Sequence, residues 1–298
     1  MQKQRSAIAL LVTIMFVMLI SVAIGYGLRQ INRASKELKE EQSLYQNSMI
    51  LSDILEILQN SRMLTKIAKS GSVDALHSFL SSRGFYSLDI GGQKLLVTIT
   101  SACSRLNINA LNDVTEPFYR EYFSKKMLDG SYIDFLRSFM SQNKVQNEYN
   151  NVIFSSQTDV FREYIASKKH LQKINSLYIK EYHNENLKDI AFDELFCYGS
   201  DSNRSVDLNY ATTAVWELIV GASPERAAAL VAGEGSYKKL QDLHLSELES
   251  RKLAKFQTSF FEPYLEVTIE VIGDEGISKM SFEYAIKTKR GYDFVLEI

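Results

Sequence analysis

The chain has 298 residues, 45% of them hydrophobic and 23% charged, and its 34 Lys and Arg nearly balance 36 Asp and Glu for a net charge of −2. That composition belongs to a folded chain with room for one large domain or two small ones, and argues against a disordered or collagenous one. The near-neutral balance gives no whole-chain reason to expect nucleic acid, 14 Gly and 3 Pro argue against long flexible linkers, and two cysteines cannot build a zinc ribbon or a disulfide-dense mini-domain.

From Ala7 to Leu28 no residue is charged. A run of that length crosses a hydrocarbon core about 30 Å thick as a helix, which predicts a membrane anchor over 8–28. Lys3, Arg5 and the terminal amine precede it, so the positive-inside rule places the N-terminus in the cytoplasm and exports the remainder. Arg29, Arg33, Lys36 and Lys39 follow the run, diluted by Glu37, Glu40 and Glu41. A cleaved secretory signal is the alternative, with Ser21-Val22-Ala23 as its small-x-small site, but the run exceeds an ordinary apolar signal core of roughly 7–15 residues.

Beyond Leu28, Ile31, Ala34, Leu38, Tyr45, Met49, Leu51, Ile54, Leu55 and Leu58 recur mostly every three or four residues, with no Pro or Gly before Gly71. The economical expectation is one helix running to roughly Lys69, about 90 Å long at 1.5 Å per residue. A coiled coil is the rival, but the spacing is too irregular for sustained heptads.

Residues 94–100, KLLVTIT, alternate as a half-buried strand. Leu106-Asn107-Ile108-Asn109 follows as a second short alternating run across a turn at Ser101 to Ser104, and Gly91-Gly92 reads as a turn. From about Glu116 to Phe196 the chain reads as helical and rich in aromatic residues, among them Tyr119, Tyr122, Phe123, Phe135, Phe139, Tyr149, Phe161, Tyr164 and Tyr178. Such aromatics are expected to form a core, since each buries a large apolar area.

A second helical stretch runs from about Ala211 to Thr258. Ser223 is placed to cap a helix that begins at Pro224 and stops at Gly233. The entry Leu208-Asn209-Tyr210-Ala211 echoes Leu106-Asn107-Ile108-Asn109-Ala110. The tail then alternates three times, as Leu265/Val267/Ile269/Val271, Met280/Phe282/Tyr284/Ile286 and Tyr292/Phe294/Leu296/Ile298. Gly273-Asp274-Glu275-Gly276 and Arg290-Gly291 punctuate these runs, which predicts an antiparallel meander.

Taken in order, the basic tip and apolar helix (Arg5 to Val12), the Val97-Thr98-Ile99 and Leu106 to Asn109 strands, the Asp207-Leu208-Asn209 entry, Ser223-Pro224-Glu225-Arg226-Ala227 and Ser259-Phe260-Phe261 resemble the minor pseudopilin K family of bacterial type II (general) secretion systems. The resemblance implies an α+β, pilin-like fold. A long N-terminal helix, transmembrane in its first half, packs on an antiparallel sheet that carries large inserted helical modules of sterile-alpha-motif type. It divides the chain into a leader peptide (1–7), a transmembrane and filament-core helix (8–28), the pilin-like helix with the first strands (29–110), an inserted helical module (111–200), a second helical module (206–258) and C-terminal antiparallel strands (259–298).

The resemblance further implies cleavage by a prepilin peptidase between Ala7 and Ile8, although family members usually carry Gly where Ala7 stands. Val12 then falls fifth in the mature chain, where most pilin-like subunits carry a Glu that pairs with a neighbour's terminal amine. This family lacks that Glu, which suits a subunit at the pseudopilus tip. The implied partners are other minor pseudopilins, the major pseudopilin, the inner-membrane assembly platform and the prepilin peptidase. The implied location is the bacterial inner membrane, single-pass, with the body in the periplasm.

Catalytic signatures do not occur. His77, His170, His183 and His244 are scattered, which predicts surface or capping roles, and there is no His-Glu-x-x-His, Gly-x-Ser-x-Gly, Walker A loop or Gly-x-Gly-x-x-Gly. The expectation is a non-enzyme without a cofactor. Calcium binding occurs among pseudopilins, but the acidic residues form no EF-hand loop and no ligand set maps onto this sequence.

Cys103 and Cys197 each lie close to a Leu-Asn strand entry. Strands brought side by side would pair them as a disulfide in an oxidising periplasm, closing a long loop worth roughly 4–5 kcal/mol in the chain-entropy model, with two buried free thiols as the alternative. Asn203, in Asp201-Ser202-Asn203-Arg204-Ser205, is an N-x-Ser glycosylation candidate.

A rival function is a membrane-anchored DNA receptor, because 206–243 also resembles a helix-hairpin-helix. Its hairpin reads Gly221-Ala222-Ser223 without the second glycine, and 206–250 carries three bases against seven acids, a net of −4 where phosphate binding needs the opposite sign. No nucleic-acid partner is expected. A single-span sensor lacks room for a signalling portion before the span, and a periplasmic enzyme lacks a catalytic constellation.

Overall fold

The computed structural model describes residues 29–297 apart from 31, 32, 37, 39, 40, 43, 91, 92, 141–160, 162, 199–203, 274 and 275. The expected anchor over 8–28 lies outside the described residues, and among those described no helix is long and apolar enough to cross a membrane. The chain forms two compact units, Met1–Leu58 and Gln59–Ile298.

Every described residue between 29 and 58 is helical, and α1 covers 44–60. Tyr45, Met49 and Ile57 are exposed on it and Leu38 is exposed before it, while Ile54 and Leu58 are buried. The expectation of one helix to Lys69 fails at Ser61. Its backbone is extended at φ −64°, ψ 115°, and its side chain accepts the Leu64 N–H, so a new helix, α2 (Arg62–Ser70), starts there. No glycine is needed for such a break, because a serine that satisfies an orphan N–H is reason enough for a new helix to begin. Gly71, left-handed at φ 58°, ends α2. Ser72 caps α3 (Val73–Arg83), accepting from Ala75 N–H.

Five strands follow in an antiparallel sheet ordered β1-β2-β7-β8-β9, with β1 Phe85–Ile90, β2 Gln93–Ser101, β7 Tyr264–Gly273, β8 Gly276–Ala285 and β9 Arg290–Glu297. At the entry to β1, the Gly84 carbonyl accepts from Ile99 N–H at 2.7 Å. A Cβ on Gly84 would stand 2.5 Å from the Leu80 carbonyl oxygen and 3.1 Å from that of Ile99, so only glycine permits this approach.

The register aligns Tyr86, Val97, Ile269, Met280 and Leu296 in one row across all five strands. Val97, Ile269 and Met280 are buried, whereas Tyr86 and Leu296 at the two edges are 37% and 41% exposed. Each fully buried aliphatic side chain stabilises the fold by about 1.5–3 kcal/mol, so the central strands carry most of that gain. The third expected alternation, Tyr292/Phe294/Leu296, is therefore a strand but not a buried one. Phe294 stacks on Phe282 at 5.4 Å and stays half exposed, and Ile298 lies outside the described residues.

β2 and β7 are neighbours, yet residues 102–263 lie between them in sequence. The Ala102 N–H donates to the Tyr264 carbonyl at 3.0 Å, closing the base of this insertion. Its first part is bracketed by β3 (Leu106–Asn107) and β4 (Phe196–Cys197) and contains α4 (Glu116–Lys125), α5 (Ser131–Met140), α6 (Lys168–Tyr182) and α7 (Phe192–Leu195). Its second part is bracketed by β5 (Val206–Asp207) and β6 (Thr258–Ser259) and contains α8 (Thr213–Ile219), α9 (Pro224–Val231) and α10 (Glu247–Leu253).

Both bracketing pairs are parallel. Parallel neighbours need a long crossover connection, and here helices supply it. The expected partnership of 106–109 with the 94–100 strand is thus replaced by β3 with β4, because β2 already has β1 and β7 on its two sides. One continuous core joins the two parts, with Tyr119 stacked on Phe196 at 6.0 Å and against Phe256 at 6.4 Å, and Trp216 fully buried. Tyr119, Tyr122, Phe123, Phe135, Phe139 and Tyr178 are buried in it as expected. Phe161 is exposed, and Tyr149 lies outside the described residues.

Candidate functional site

Two matching brackets hold the insertion on the sheet. In the first, the Asn107 side chain accepts from Asn109 N–H at 2.9 Å, and Asn109 grips Ile165 by two bonds, Nδ2 to its carbonyl at 3.0 Å and Ile165 N–H to Oδ1 at 2.8 Å. In the second, the Asp207 carboxylate accepts from Asn209 N–H at 3.0 Å, and Asn209 grips Tyr237 in the same way at 2.9 Å and 2.9 Å. The equivalent residues are therefore Asn107 with Asp207 and Asn109 with Asn209. Matching Leu-Asn to Leu-Asn in the sequence displaces that register by two, because the repeated element is the acceptor at the turn and not the leucine.

Asp207 is fully buried and its carboxylate also accepts from Glu262 N–H at 2.9 Å, tying the second bracket to the approach to β7. Burial pushes its carboxyl up to about 6, against the pull of the two backbone donors.

Between the brackets and the sheet lies a cavity of about 360 Å³, bordered among others by Cys103, Arg105, Cys197, Tyr198, Arg204 and Glu283. Arg105 pairs with Glu266, and Arg204 with Glu283, two ion pairs that tie the insertion to β7 and β8. The Arg204 guanidinium also lies 4.7 Å from the centre of the Tyr264 ring. Glu283 is raised above the ordinary carboxylate range by burial, which Arg204 only partly offsets.

Cys103 and Cys197 border this one cavity as free thiols. The Cys103 carbonyl accepts from Asp207 N–H at 2.8 Å, and the Cys197 thiol lies 3.7 Å from the Arg105 carbonyl. Burial pushes both thiols up, Cys197 to about 11 and Cys103 further.

The other sequence-predicted residues disperse. Ala7, Ile8, Val12 and Asn203 lie outside the described residues. His183 and His244 are left-handed helix C-caps. His170 sits at the start of α6, where its Nδ1 accepts from Ala166 N–H. His77 of α3 packs beneath Gly235, whose φ is +74° and where an added Cβ would stand 2.2 Å from the imidazole, so the position has no space for a side chain. Among the described residues no group of three or more His, Cys, Asp or Glu is arranged to hold a metal ion.

The helix-hairpin-helix candidate does form a hairpin, α8 to α9 through Gly221 at φ +73°. Ser223 caps α9 as the sequence predicts, and the Glu225 carboxylate takes a backbone N–H at the same end, where a phosphate would have to bind. Lys252 lies over Gly221 with its ammonium bonded to Glu121 at 2.8 and 2.9 Å, and Arg226 is bonded to the Leu243 and His244 carbonyls. These cations are already occupied by protein partners.

No family profile matches the sequence, and no curated protein matches it. Among solved structures, the chain is similar to a chain of the GspK-GspI-GspJ complex from the enterotoxigenic Escherichia coli type 2 secretion system. The TM-score is 0.56 at 14% identity, covering 87% of this chain and 97% of that one. The fold is thus pseudopilin-like, an α+β architecture of helices and antiparallel sheet.

Proposed function

We propose that this chain is a minor pseudopilin of a type II secretion system, an assembly subunit and not an enzyme. It is anchored in the inner membrane by residues 8–28, with its body in the periplasm. The observation that carries the reading is the fold similarity over 87% of the chain to a subunit of a minor-pseudopilin complex. The charge-free run from Ala7 to Leu28 and the absence of a catalytic constellation from the sequence support it. In this role prepilin peptidase releases Ile8 as the mature N-terminus. The helix then packs with other minor pseudopilins and the major pseudopilin, starting filament assembly at the inner-membrane platform.

Val12 in place of a glutamate leaves the subunit with no carboxylate to pair with the amine of a subunit beyond it, which fits the filament tip. The test is the N-terminal sequence of the protein recovered from cells with and without prepilin peptidase. A peptidase-dependent start at Ile8, or one residue to either side, supports the reading, and an intact Met1 or a start near Ile24 overturns it.

A further inference from the structure

We infer that Cys103 and Cys197 are a disulfide-forming pair that fastens the base of the helical insertion. They are the two cysteines of the whole chain, and both border the same 360 Å³ space. Cys103 sits two residues beyond β2, where the chain leaves the sheet, and Cys197 ends β4, where the first helical part returns. The β3–β4 register brings Cys197 opposite Asn107, and the Cys197 thiol reaches the carbonyl of Arg105, two residues from Cys103. Both side chains line this one space, and a disulfide needs their Cα atoms within about 7 Å of each other.

A bond here would join the exit from β2 to the end of the first bracket, with the second bracket already held on the Cys103 carbonyl through Asp207 N–H. The whole insertion would then hang from one covalent point beside its two ion pairs.

The step is thiol–disulfide exchange. One cysteine, as its thiolate, attacks an incoming disulfide such as that of a thiol oxidase or oxidised glutathione, and one thiol of that oxidant leaves. The second cysteine then attacks the mixed disulfide, the Cys103–Cys197 bond forms, and the other thiol leaves. The oxidant takes up two electrons and two protons in all. Buried thiols are poor nucleophiles, so the exchange runs while the insertion is still folding, before the site closes.

The full chain, purified in detergent under reducing conditions, is unfolded and refolded in a mixture of oxidised and reduced glutathione, and its intact mass is read. A species lighter by two hydrogens and without glutathione adducts is expected. Glutathione adducts, or two thiols still open to alkylation, would overturn the pairing. A second arm rests on the exported location proposed above: cells are quenched in acid and the protein is alkylated with and without reductant. Alkylation only after reduction is expected. An internal bond on refolding with free thiols in cells would keep the pairing and count against the periplasmic location instead.

Discussion

Asn209 closes a two-bond ring on the backbone of Tyr237, and its Nδ2 donates a third bond, to the Phe260 carbonyl at 2.8 Å. A single buried amide thus joins the entry of the second bracket, its middle and its exit. Asn209→Ala leaves these backbone groups without partners, at about 1–3 kcal/mol for each one left unsatisfied in the interior. A loss of roughly 3 kcal/mol in urea unfolding is expected. Asn109→Ala should cost about half as much, because Asn109 is less buried and its ring to Ile165 can be taken over in part by water. Equal losses at the two positions would contradict the argument.

Asp207 makes stability depend on pH with a definite sign. Its carboxyl is raised by burial from 3.8 to about 6, so the folded state holds the proton more tightly than the unfolded one. Its favourable contribution is complete below about pH 4 and is lost as the pH rises through about 6, up to ~3 kcal/mol. Asp207→Asn, the residue type of the first bracket, keeps an acceptor for Asn209 N–H but gives up the Glu262 N–H bond, at about 1 kcal/mol. The variant is expected to be less stable than the parent near pH 4 and more stable above pH 6. Parallel curves of urea midpoint against pH would count against this account.

Much of this architecture is legible in the sequence, where period and turn chemistry act locally. The buried rows of β7 and β8 follow from strict alternation between glycines, and the cap at Ser223 follows from Ser-Pro-Glu. What was not legible depends on neighbours. Tyr292, Phe294 and Leu296 alternate like core residues but lie on an edge strand, and alternation does not say where a sheet ends. β1 leaves only a weak trace, Tyr86 and Leu88 alternating between Gly84 and Gly91 beside the stronger run of β2. The cavity that gathers Arg105, Arg204, Cys103 and Cys197 arises because β2 and β7 pair across the insertion, a long-range fact with no local trace in the sequence.

The Arg204–Glu283 pair should respond asymmetrically to removal of its partners. Arg204→Met leaves Glu283, already raised by burial, beside a half-closed cavity without its cation. Glu283→Gln leaves Arg204 partly exposed and still resting on the Tyr264 ring. Losing one partner of a buried pair costs about 3–5 kcal/mol, and the remaining exposure of this pair reduces that to roughly 2–3 for Arg204→Met. Glu283→Gln should cost about 1 kcal/mol. Thermal unfolding of the two variants at pH 7 checks the order, and the reverse order would show that the cation, not the carboxylate, is the poorly solvated partner.

Leu38, Tyr45 and Met49, 66%, 69% and 53% exposed, stand seven and four residues apart in the N-terminal unit, spacings that within a helix place side chains on one face. Exposed apolar side chains in a row contribute little to the fold that carries them, and burying them against another helix would remove that surface from water. The triple substitution Leu38→Gln, Tyr45→Ser, Met49→Gln is therefore expected to shift the thermal midpoint of the purified protein by no more than a degree or two. If the chain acts as a minor pseudopilin, the same variant should fail to co-purify with the other minor pseudopilins expressed beside it, while a control substitution at exposed Met127 leaves co-purification intact. A large drop in thermal midpoint would assign the row to the chain's own packing. Unchanged co-purification would move the partner surface elsewhere and leave these side chains as ordinary exposed positions on a solvated helix.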